Sequence, residues 1–74
     1  MMNEIINPIK EVMKKRIEAM TFEKPMYLGD ILTNIGFVGK TNAVRLVDVI
    51  KELVTEGKLI KTIGKYNFEQ YTKA

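Results

Sequence analysis

The chain has 74 residues, 46% of them hydrophobic and 28% charged, with a net charge of +3, enough for one small domain with a modest core. It has no cysteine, histidine, serine or tryptophan. Disulfides, a conventional zinc staple and Ser-, Cys- or His-based catalysis therefore fall away together, and no enzyme, cofactor or small-molecule substrate is expected. No apolar run reaches the roughly 18 residues a bilayer crossing needs, and the start MMNEIINPIK lacks a secretory pattern, so a cytoplasmic protein without a membrane partner is expected.

A single domain over 1–74 is expected, with 1–7 as an N-terminal extension. Within that extension Met2, Ile5 and Ile6, together with Ile9 just beyond it, are apolar residues that a lone small domain has little left to cover. Self-association through them, which eases the small-core problem, and a frayed terminus are the two readings. Asn7 followed by Pro8 reads as a helix start. Ile9, Val12, Met13, Ile17 and Met20 then recur at helical spacing, predicting an amphipathic helix over about 8–21. Its cluster Lys14, Lys15, Arg16 reads as a solvated face, partly neutralised by Glu11 and Glu18.

Pro25 breaks the pattern. Met26, Tyr27 and Leu28 suit a very short extended piece, and residues 29–35 a second helix with Leu28, Ile31, Leu32 and Ile35 on its apolar side. Gly36 is expected in a left-handed C-terminal position. The segment GFVGKT has the end of a phosphate-binding loop, but Asn34 stands where the first glycine is required, and the segment lies between helices. It is therefore read as a turn.

Thr41 is expected to cap a third helix over about 41–56. Its apolar face comprises Ala43, Leu46, Val47, Ile50, Leu53 and Val54, with Arg45, Asp48, Glu52 and Thr55 opposite. Gly57 closes it. Over 58–71 the period changes to that of a hairpin. A two-residue turn at Gly64 and Lys65 would pair Ile63 with Tyr66, Lys61 with Phe68 and Leu59 with Gln70, laying Leu59, Ile63, Tyr66 and Phe68 on the helices. Charge is uneven along the chain: residues 1–57 hold eight bases and eight acids, whereas 58–74 hold Lys58, Lys61, Lys65 and Lys73 against Glu69 alone. The whole excess lies in the hairpin segment.

The phrase NAVRLVDVIKELVTEGKLIKTIGKYNF, with its helix end LVTEGKLIK leading into a strand, resembles the winged helix-turn-helix family. The resemblance covers about residues 8–71 and rests on residue classes, without an invariant signature. It implies an α+β fold of three helices followed by a two-stranded hairpin wing, and sequence-specific binding of double-stranded DNA. On this chain the third helix would bring Lys40, Thr41, Asn42 and Arg45 near base edges, where Asn and Arg have reading chemistry. Lys58, Lys61 and Lys65 of the wing would contact phosphates. The implied protein is a small homodimeric transcriptional regulator repressing by occupancy, or a plasmid or virus replication or partition factor, with Met2, Ile5, Ile6 and Ile9 of the N-terminal segment and first helix as its two-fold dimer interface.

Bland readings stand beside these. An Arg45–Asp48 pair is the ordinary surface reading of that arginine, anti-aggregation charge is the ordinary reading of Lys61 and Lys65, and Tyr27, Tyr66 and Phe68 read as core and sheet-face aromatics, with base stacking as the minor reading. Asp48 and Glu52 share the exposed side with Arg45 and would repel phosphate. Either the first turn alone reads DNA, or the helix faces a protein through Asp48, Glu52 and Glu56, which is the alternative function.

Overall fold

A computed structural model describes residues 7–74. The order is α1 (Pro8–Ala19), β1 (Met26–Tyr27), α2 (Leu28–Asn34), α3 (Lys40–Thr55), β2 (Leu59–Ile63) and β3 (Glu69–Lys73). Among the described residues, three helices and a three-stranded antiparallel sheet of order β1-β3-β2 make an α+β fold. The short extended piece thus becomes a third strand, with Met26 opposite Tyr71 and Tyr27 opposite Gln70.

The ends of the helices follow local chemistry. Asn7 caps α1, its Oδ1 accepting from the Ile9 N–H at 3.0 Å and the Lys10 N–H at 3.4 Å, with Pro8 at the first position. The helix stops at Ala19, two residues short of the expected end, because Met20 is already extended. Gly36 and Gly57 take φ of +83° and +77°. After each, the chain closes the helix with paired bonds: Gly36 N–H to Thr33 O and Phe37 N–H to Leu32 O, then Gly57 N–H to Val54 O and Lys58 N–H to Leu53 O. The start of α3 departs from expectation. Gly39, at φ 94°, stands at the cap and Thr41 is inside the first turn, because only glycine is at ease with that backbone.

Met13, Ile17, Ile31, Ile35, Leu46, Val49, Ile50, Leu53, Leu59 and Tyr71 form the core. Its position rotates the expected face of α3: Val49 is fully buried, whereas Val47 lies toward solvent. Arg16 ties α1 to the end of α2, donating to the Ile35 carbonyl at 2.7 Å while its guanidinium lies 5.3 Å from the Phe37 ring centre. Arg16 is exposed, as a solvated face would have it, and its guanidinium is engaged as well.

The hairpin corrects the expected register. Leu59 pairs with Lys73, Lys61 with Tyr71 and Ile63 with Glu69, three places beyond the pairing that a turn at Gly64 and Lys65 would produce. Gly64 has φ −93°, unsuited to the first place of a glycine-first turn. Tyr66 and Asn67 occupy the left-handed positions instead. An odd shift exchanges the two faces of a strand. Tyr71 consequently enters the core, while Ile63, Tyr66 and Phe68, expected on the inner face, are exposed.

Candidate nucleic-acid interface

The exposed side of α3 divides into two stripes by helical spacing. One runs through Lys40, Val44, Val47, Lys51 and Thr55, all exposed and with no acid among them. The other runs through Arg45, Asp48, Glu52 and Glu56 and lies along α1. Lys10 Nζ is 3.2 Å from Asp48 Oδ2, and Lys14 Nζ is 2.6 Å from Glu52 Oε1 and 3.8 Å from Glu56 Oε2. Only 18% of the Lys14 side chain is exposed. Its ammonium is held above the usual lysine range, first by the hydrogen bond to Glu52, with burial opposing. The acids that would repel phosphate thus form an ion-pair seam between α1 and α3.

The hairpin stands beside the basic stripe. A groove of about 500 Å³ between them is lined by residues that include Leu28, Val47, Ile50, Lys51, Lys61 and Tyr71. Among the described residues Glu69 is the acid on its rim. Its carboxylate accepts from the Tyr71 hydroxyl at 2.9 Å and lies 3.5 Å from Lys61 Nζ. The Tyr71 hydrogen bond is the first cause holding that carboxyl below its ordinary value, and Lys61 the next. Burial, followed by the bond to Glu69, pushes the Tyr71 phenol up to about 12.

The residues expected to read DNA are placed unequally. Lys40 lies on the basic stripe, and Thr41 is exposed beside it in the first turn of α3. Asn42 and Arg45 are half-buried and bound to each other, Arg45 Nη1 donating to Asn42 Oδ1 at 2.9 Å while Asn42 Nδ2 donates to the Val38 carbonyl at 2.9 Å. The suggested Arg45–Asp48 pair is replaced by this contact and by Lys10 on Asp48.

Among the wing lysines, Lys65 is exposed at the hairpin tip, and Lys61 flanks the groove. Lys58 is at the other end of β2, 3.0 Å from Glu18 and 3.6 Å from Glu56. The hydrogen bond to Glu18 is the main reason its pKa is raised. The structure does not bring it together with Lys61 and Lys65.

For the expected dimer contact, Met2, Ile5 and Ile6 lie outside the described residues, and Ile9 packs against the core. Lys51 was missing from the expected site. Its signal was available: it sits eleven residues after Lys40 and four after Val47, on one line of the helix. Among the described residues no helix is long and apolar enough to cross a membrane. Comparison with known protein families, curated proteins and solved structures found no match for this chain.

Proposed function

We propose that the chain is a winged helix-turn-helix domain that binds double-stranded DNA through the basic stripe of α3 and the adjoining hairpin. The single observation that carries this reading is the segregation of charge on α3. Its acids are engaged by Lys10 and Lys14 on one flank, and Lys40 and Lys51 stand without ion-pair partners among the described residues on the other. The element order, ending in a hairpin paired back onto a short first strand, supports the layout.

In this reading the α3 stripe enters the major groove. Lys40 and Lys51 neutralise phosphates, Thr41 offers a hydroxyl to base edges, and the Val44 and Val47 methyls suit thymine methyls. Asn42 and Arg45 reach bases by exchanging their mutual hydrogen bond for base contacts. Lys61 and Lys65 hold the flanking backbone. A homodimer built through the N-terminal segment would read a two-fold-related site and repress transcription by occupancy; sedimentation of the full chain at micromolar concentration tests that part. The alternative, a protein contact through Asp48, Glu52 and Glu56, would have those carboxylates exchange their partners Lys10, Lys14 and Lys58 for a partner protein's cations.

Fluorescence anisotropy of a mixed-sequence duplex tests the DNA reading. With each phosphate contact contributing about 0.9 to the log–log salt slope, four lysines give a slope near about −3.6. The double variant Lys51→Glu, Lys65→Glu is expected to weaken binding at least about tenfold at roughly 50 mM salt, whereas Lys15→Glu, on exposed α1 surface, changes it little. Absence of binding by the unaltered chain at that salt would overturn the proposal.

A further inference from the structure

The hairpin tip exposes aromatic surface that the basic stripe of α3 does not account for. Tyr66 is 86% exposed and Phe68 60%. With Tyr27, Leu28, Gly29 and Glu69 they line an open recess of about 550 Å³. Phe68 is braced edge to face against Tyr27, ring centres 6.3 Å apart. Tyr66 sits at φ 59° and ψ 24°, in the left-handed region where glycine and asparagine are at ease and a bulky side chain is an outlier. Strain of this kind, at a residue whose ring adds almost nothing to the core, points to a role outside the fold.

We propose that Tyr66, backed by Tyr27 and Phe68, receives an unstacked nucleobase of the bound DNA, so that the protein prefers a duplex carrying an unpaired base to a fully paired one. This rests on the DNA-binding reading above. The exposed lysine at the hairpin tip favours a nucleotide as the occupant. Lys65, next to Tyr66 in the chain, is exposed and has no carboxylate partner among the described residues. Glu69, the one acid lining the recess among the described residues, is already bound by the Tyr71 hydroxyl and paired with Lys61.

An exposed aromatic ring and, one residue away in the chain, an exposed lysine offer partners for the two parts of one nucleotide, base and phosphate. Stacking on the ring is tolerant of sequence, because every base presents a π-face. Apolar wedges that enter base steps must first unstack them. A base that is already unpaired removes much of that cost.

Two labelled duplexes, identical except for one extra unpaired adenine, are titrated with the full chain and with Tyr66→Gly. Glycine suits the left-handed backbone, so the variant is expected to melt at or above the temperature of the unaltered chain. The unaltered chain is expected to bind the bulged duplex about tenfold more tightly, at the low end of what one base–aromatic stack is worth. Tyr66→Gly is expected to bind both duplexes alike, with the affinity for paired DNA retained. Equal binding of both duplexes by the unaltered chain overturns the base-receiving role and leaves the DNA reading standing. Persistence of the preference in Tyr66→Gly also overturns it, since the flexibility of the bulge would then suffice. Binding to neither duplex overturns the DNA reading and this proposal with it.

Discussion

Tyr71 is the residue whose environment differs most from what its position in a C-terminal strand suggests. Its ring belongs to the core and its hydroxyl donates to Glu69. Burial favours the neutral phenol, so the folded pKa of about 12 lies above the ordinary 10.0. Between those values the unfolded chain has released a proton that the folded chain keeps, and the contribution of Tyr71 to stability falls as pH rises through that window. Tyr71→Phe is expected to be less stable than the unaltered chain at pH 7, having lost the bond to a carboxylate. That deficit should shrink as pH climbs from about 10 to 12. Urea midpoints of both proteins across that range check it; a constant gap would mean that Tyr71 does not couple folding to alkaline pH. The sign is opposite for Glu69: its carboxyl is held low in the folded chain, so its contribution is lost as pH falls through the acid range.

The elements differ in how far their sequence revealed them. The helices were legible because caps, glycines and apolar spacing act within a few residues: Asn7, Gly36 and Gly57 each do what their type suggests. The face of α3 was less so. Val47 and Val49 are both apolar, and the choice between them depends on where α1 and the sheet lie, which periodicity does not contain. The register of the hairpin was misread because it depends on which aromatic the core accepts. Tyr66 and Phe68 alternate correctly for an inner face, but Tyr71 fills that place. The ion-pair seam was invisible for a related reason, since Lys10 and Asp48 are 38 positions apart in the chain. Its chemistry is testable at this scale. Glu52→Lys sets a like charge against Lys14, and the variant is expected to be destabilised on the order of 1 kcal/mol, less at high salt because the repulsion is screened. Thermal melts at about 20 and 500 mM salt check this; equal losses at both would show that the seam is not electrostatic.

For the whole molecule, the net charge of +3 matters less than its partition. The sequence located the excess in the hairpin segment, and Lys58 in that segment is drawn off by Glu18 and Glu56. Lys51, from the charge-balanced part of the chain, joins Lys61 across the groove instead. Folding thus redistributes charge between faces: acids and lysines meet along the α1–α3 seam, and Lys40, Lys51, Lys61 and Lys65 remain on the α3 stripe and hairpin. The most direct test of this account is amide chemical-shift mapping during titration of the full chain with a DNA duplex. The account predicts that shifts concentrate at Lys40–Thr55 along the basic stripe and at the hairpin from Lys61 to Phe68, with Glu11, Lys14 and Glu18 of α1 little changed. Shifts centred on α1 and the acidic stripe, with the hairpin silent, would contradict it.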